Sequence, residues 1–251
     1  MELYKRIYDA WKKRPILEDA YNHAADILKR DQYMFNEVCT ALISGGSTRE
    51  SSTDEERDIV EIITEEDHKI NDMARSIRQE LLSYLALNSS PDLSSSLVLT
   101  SLVIYLERLG DYTKDLAQLT LLNAPKFRQM TYHGDIEKYQ KHLMVMFDLT
   151  IKAFENGDKV AAMKVMNENV KLRNETDVLL HKINTDKNIR GREAMTYTLY
   201  TRYFRRVAGH LENVASSVIS PFPDLGFKHA AGVKLTEKRT KMSNIVKKRG
   251  K

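Results

Sequence analysis

Apolar residues recur at helical spacing over most of the chain, and no segment alternates apolar and polar positions long enough to give a half-buried strand. The pattern predicts an all-α fold. Ile16, Leu17, Ala20, Ala24, Ile27, Leu28, Met34, Phe35, Val38, Cys39, Leu42 and Ile43 give helical spacing over 16–43, with Pro15 suited to its start and Gly45-Gly46 to its end. Thr53-Asp54-Glu55-Glu56 reads as a capping box opening a helix that runs to about Leu87, broken by Asn88 to Asp92. Further helices are expected over 93–122, 135–155, 158–185 and 189–219, with a short one over 3–13 ahead of them. The few prolines, at 15, 91, 125, 221 and 223, leave these runs unbroken.

The six long helices divide as three and three, which calls for a repeat test. Sliding the chain by 98 positions lays Leu106-Glu107-Arg108-Leu109-Gly110-Asp111 over Phe204-Arg205-Arg206-Val207-Ala208-Gly209, with apolar and small positions in step. Upstream, Asp67-His68-Lys69-Ile70-Asn71 matches Arg173-Asn174-Glu175-Thr176-Asp177 loosely. Two tandem antiparallel three-helix bundles would bury both sets of apolar faces. On the third helix, Glu107, Asp111 and Asp115 stand at i, i+4 and i+8, like charges that oppose the helix by roughly 0.2–0.5 kcal/mol per pair, and Gly110 costs about 1 kcal/mol against alanine. Something must offset both. A small residue at 110 and 208 admits a neighbouring helix, and the acids have two readings open: neutralisation by Arg108 and Lys114, or a bound cation.

Composition narrows the function classes. The lone Cys39 excludes an intramolecular disulfide and fits a reducing compartment, with the cytoplasm the default. Residues 1–14 are basic but carry no apolar signal core, and no window approaches 18 uncharged apolar residues. The formal charge of +4 hides an asymmetry: nine Lys/Arg against Glu237 follow residue 227, a tail at +8 behind a body at −4. Such a tail reads first as a solvated end, with nucleic-acid association the alternative; no base-reading motif accompanies it. Glu65-x-x-His68 has the spacing of di-iron carboxylate bundles, but no second copy exists, which argues against a ferritin-like storage protein or oxidase. Asp19 and His23 form a further i, i+4 pair of a kind common on helices. There is no phosphate-cradling glycine loop, nucleophile elbow or zinc-type Cys/His set, so no enzymatic activity is expected.

Leu106-Glu107-Arg108-Leu109-Gly110-Asp111-Tyr112-Thr113-Lys114-Asp115-Leu116-Ala117, with the upstream Asp67-x-x-Ile70-Asn71, resembles the PhoU family, cytoplasmic regulators of phosphate uptake. The family's segment is Leu-Glu-Arg-Ile-Gly/Ala-Asp-His-Ala-x-Asn/Asp-Ile-Ala, and the resemblance covers about 16–227. It implies a first bundle within 1–124 together with the short N-terminal helix, a second within 125–227, and a tail at 228–251. It also implies iron or zinc on Glu107, Asp111 and Asp115, with Asp67 and Asn71 facing them. Arg205 and Gly209 replace the family's acids in the second half, so no second metal cluster is expected there; Arg205 and Arg206 read first as arginines salt-bridged to neighbouring helices, with an anion-binding face of Arg205, Arg206 and His210 the alternative. The implied role is a non-enzymatic adaptor, a homodimer, docking on the cytoplasmic components of a phosphate transporter and on a sensor histidine kinase. It would meet the membrane only through those partners.

Overall fold

The computed structural model describes residues 9, 13–44, 59–123, 130–220 and 222–226. Among the described residues there are six long α-helices and no strand: α1 Pro15–Ser44, α2 Ile59–Leu87, α3 Leu93–Asn123, α4 His133–Asn156, α5 Lys159–Thr185 and α6 Gly191–Ser216, followed by a short 3-10 turn at Phe222–Asp224. The expected helix over 3–13, the Gly45-Gly46 stop, the Thr53 capping box and the basic tail lie outside the described residues. Local chemistry sets several ends. Asp92 Oδ1 accepts from the Ser95 N–H at 3.0 Å at the start of α3, Asp158 accepts from Val160 and Ala161 at the start of α5, and α4 closes on Gly157 in the left-handed region.

Helices α1, α2 and α3 pack on one another, as do α4, α5 and α6, and the two bundles meet through α3 on α6 and α1 on α4. Neighbours run antiparallel: Lys114 of α3 reaches Asp67 and Glu107 reaches Arg78, so the chain numbers fall on one helix as they rise on the other. Helix α3, over Leu93–Leu119, is long and apolar enough by composition to cross a membrane, but half of that apolar stretch is buried inside the protein. Its apolar side chains meet α1, α2 and α6.

Burial fixes the repeat register more sharply than letter matching does. Buried Ile63, Asp67, Ile70, Ala74, Ile77 and Leu81 of α2 correspond one for one, 102 positions on, to buried Val165, Asn169, Leu172, Thr176, Leu179 and Ile183 of α5. The equivalent of Asp67 is therefore Asn169, and the loose match of Asp67 to Arg173 is out by one helical turn. Helices α1 and α4 correspond at 119 positions, which pairs buried Leu28, Asp31 and Phe35 with buried Phe147, Thr150 and Phe154. The 98-position step holds for α3 and α6: Leu106, Leu109 and Leu116 are buried, and so are Phe204, Val207 and Val214.

The bundle interface shows an approximate two-fold relation. Tyr112 stacks on His210, its own repeat equivalent, at 5.5 Å between ring centroids. The reciprocal pairs Tyr105–His210 and Tyr112–Tyr203 stand at 6.0 and 6.2 Å, and each becomes the other when the halves are exchanged. Deeper in, Phe35 of α1 meets both Phe147 of α4 and Phe204 of α6, while Tyr21 stacks on Phe154 and donates to its carbonyl at 2.6 Å.

Candidate functional site

The register places two equivalent polar sites, one per bundle, at the joint of the second and third helices. In the first bundle the sequence-predicted acids come to the same region but turn to different partners. Glu107 accepts from Arg78 Nη2 at 2.6 Å, and Asp111 from Arg108 Nη1 at 3.2 Å. Asp67 is buried between the helices; its Oδ2 accepts from Lys114 Nζ at 2.5 Å and from Asn71 Nδ2 at 3.2 Å. Lys114 also lies 3.7 Å from Asp111. Burial opposes the charge on Lys114, yet the hydrogen bond to Asp67 and the charges of Asp67, Asp111 and Asp115 outweigh it and raise its pKa. Asp115 is half-buried, and burial, followed by the charge of Asp111, raises its pKa. Cations of the chain itself thus offset Glu107 and Asp111.

A fifth acid completes this cluster, and sequence reasoning missed it. Asp31 of α1 is fully buried, with no hydrogen-bond partner for either oxygen among the described residues. Burial, then the charges of Asp67 and Asp111, push its pKa well above the usual carboxylate range. Oδ1 of Asp31 and the unpartnered Oδ1 of Asp67 both come to 3.4 Å from the point where a Cβ on Gly110 would stand. The space left by Gly110 is therefore occupied by carboxylates and Ile70 rather than by the backbone of another helix. A proton on Asp31 provides the donor that this corner lacks, with the lone Asp67 Oδ1 an acceptor facing the same point. The signal was present in the chain: Asp31 sits one helical step from Leu28 and Phe35, inside the apolar stripe.

Among the described residues, no group of three or more His, Cys, Asp or Glu is arranged to hold a metal ion. The donor set explains this. Glu107 faces Arg78 and Asp67 faces Lys114, so an ion on Glu107, Asp111, Asp115, Asp67 and Asn71 has first to displace cations already in contact. The other metal-spaced pairs are drawn elsewhere: His23 approaches Glu80 at 3.2 Å rather than serving with Asp19, and His68 is exposed on the outer face of α2.

In the second bundle Asp31, Asp67 and Asp111 become Thr150, Asn169 and Gly209, and Lys114 becomes Glu212. The cross-helix contacts survive with their chemistry exchanged. Asn169 Nδ2 donates to Glu212, and Arg205, in the place of Glu107, holds Asp177 at 2.6 Å. Arg173, in the place of Asn71, donates its Nε to Asn169 Oδ1 at 3.3 Å. With no acid at 209, a cavity of about 240 Å³ opens there, lined by Arg173, Arg205, Arg206, His210 and Glu212. Beside it lies a hollow of about 370 Å³ walled by Arg173, Arg202, Arg205 and Arg206. Burial, then Arg206 and Arg108, depress the His210 pKa to about 4, so the ring is neutral at pH 7.

A family model described as "PhoU domain" matches residues 28–120 and again 136–218, more than half of the chain and both bundles. No curated protein matches the sequence. Among solved structures, PhoU from Pseudomonas aeruginosa superposes with a TM-score of 0.70 at 21% identity, covering 82% of this chain and 96% of that one. The phosphate transport system regulatory protein PhoU from Streptococcus pneumoniae gives 0.68 at 17% identity, covering 80% and 92%. At such identities the two structures establish the shared fold.

Proposed function

The chain belongs to the PhoU family, and on that premise we propose that it is a cytoplasmic, non-enzymatic regulator that restrains phosphate uptake by docking on a transporter's cytoplasmic components. One observation carries the reading: the family's domain is matched twice, over both bundles, with the solved relatives covered nearly end to end. The architecture suits an adaptor. Antiparallel bundles fixed by an apolar interface present long helical faces for docking. A sensor histidine kinase is the second partner of the proposal, and a homodimer its working form. The direct test compares labelled phosphate uptake, under phosphate excess, in cells with and without the gene. Uptake rises severalfold without it; unchanged uptake refutes the role. Affinity capture under the same conditions then identifies the transporter ATPase or the kinase.

Iron or zinc at Glu107, Asp111, Asp115, Asp67 and Asn71 belongs to the proposal with a separate check. A bound metal has to displace Lys114 from Asp67, and the affinity of such a carboxylate site falls at low pH, where protons compete for its ligands. Elemental analysis of purified protein finds about one or more ions per chain if the site binds metal, and Glu107→Ala with Asp111→Ala removes them. Metal-free wild type after incubation with excess ion discards this part and leaves the regulatory role standing.

A further inference from the structure

The second bundle carries a groove whose chemistry the regulatory reading does not use. Arg173 on α5 and Arg205 and Arg206 on α6 line two adjoining hollows, and Arg202 lines the second. The neighbouring acids neutralise the groove only in part. Asp177 pairs with Arg205 at 2.6 Å, and Glu212 lines the same cavity while accepting from Asn169. Arg202 and Arg206 are exposed and have no carboxylate within ion-pair distance among the described residues. Arg173 binds Asn169 through Nε alone, while its Nη2 stands 3.7 Å from the point where a Gly209 Cβ would be. A bulkier side chain at 209 would fill the floor, and an aspartate, as at the equivalent position 111, would neutralise that guanidinium. His210, neutral at its edge, adds a polar ring without a competing charge.

We propose that this groove is a binding site for a small phosphoryl anion, a ligand carrying at least one phosphate group. Guanidinium forks recognise planar pairs of phosphate oxygens through paired N–H donors, and several arginines clustered on a concave wall favour a multiply charged oxyanion over a single carboxylate. The ligand also relieves repulsion among Arg173, Arg202 and Arg206, so it stabilises the folded chain as well as binding to it. The assignment rests on the side chains of α5 and α6 and holds whether or not the chain docks on a transporter.

The test is calorimetric titration of the full, metal-free chain with inorganic pyrophosphate and, separately, orthophosphate at low salt, with thermal unfolding of the same samples alongside. Arg202→Glu with Arg206→Glu weakens binding by at least about tenfold, the loss expected for removing a charge-assisted contact. Lys69→Glu with Arg75→Glu, an equal charge change on exposed α2, leaves the affinity within about twofold. Arg206→Gln, a single exposed change, moves it in the same direction as the double reversal should that variant fold poorly. Stronger binding of pyrophosphate identifies a ligand with adjacent phosphates that spans both hollows; equal or stronger binding of orthophosphate identifies the free ion. No heat and no thermal shift with either anion overturns the proposal. So does equal weakening by both double variants, or none by either, which assigns the binding to the basic tail or to net charge alone.

Discussion

Asp31 is the residue on which the first site depends. An acid whose folded pKa lies above its unfolded value holds a proton that the unfolded chain has released, so its contribution to stability falls as pH rises from about 4 through the folded pKa. Asp31→Asn keeps the shape and removes the ionisation. The variant therefore gains thermal stability over wild type as pH is raised from 5 to 9, read as a widening difference in Tm; a constant difference across that range would show that Asp31 ionises freely. Gly110 gives a second prediction. A methyl there meets Asp31 and Asp67 oxygens at ordinary contact distance, so Gly110→Ala recovers helix propensity and stabilises by roughly 0.5–1 kcal/mol, while Gly110→Leu disrupts packing and destabilises. Gly226 behaves oppositely: its φ of 76°, together with overlap of any Cβ with the Tyr105 hydroxyl, makes Gly226→Ala unfavourable by about 1–3 kcal/mol. Urea unfolding of the three variants checks both signs.

At the scale of elements, Lys114–Asp67 ties α3 to α2 at a point where Asp67 is nearly buried. Removing one partner of such a pair leaves an uncompensated charge and costs about 3–5 kcal/mol, whereas removing both is close to neutral. Lys114→Met is accordingly strongly destabilised in urea unfolding and is largely rescued by adding Asp67→Asn, the residue the second bundle carries there. Absence of rescue would show that Lys114 acts through its aliphatic stem. These elements also show what the chain made legible. The six helices follow from apolar spacing and several described ends from Pro15, Asp92, Gly157 and Asp158, and the α3–α6 register follows from adjacent apolar and small residues. The α2–α5 register did not emerge, because its diagnostic pair is Asp67 and Asn169, buried polar residues that look like surface ones until tertiary burial is known. Arg78 and Asp177 were equally invisible as partners, since a long side chain reaches across a helix joint to a residue that sequence spacing does not designate.

For the whole molecule, the question is whether two bundles with opposite polar sites behave as one body. The interface favours that. Phe35 is wholly buried and touches Phe147 and Phe204 across it, Tyr21 both stacks on and hydrogen-bonds Phe154, and Gln32–Asp148 and Lys29–Glu155 close the rim at 2.6 Å each. Neither bundle can unfold without exposing these rings, so the exposure penalty couples them. Calorimetry of the full chain should show one transition in which both halves melt together. Phe35→Ala, which removes about 3–5 kcal/mol of packing, should lower that single Tm on the order of 10 °C for a chain of this size. Two resolved transitions in the wild type would mean that each bundle's own core outweighs the shared rings. A single transition carries a consequence for regulation: an anion held by the arginines of α5 and α6 would then raise the stability of the acidic bundle as well, because both share one unfolding equilibrium.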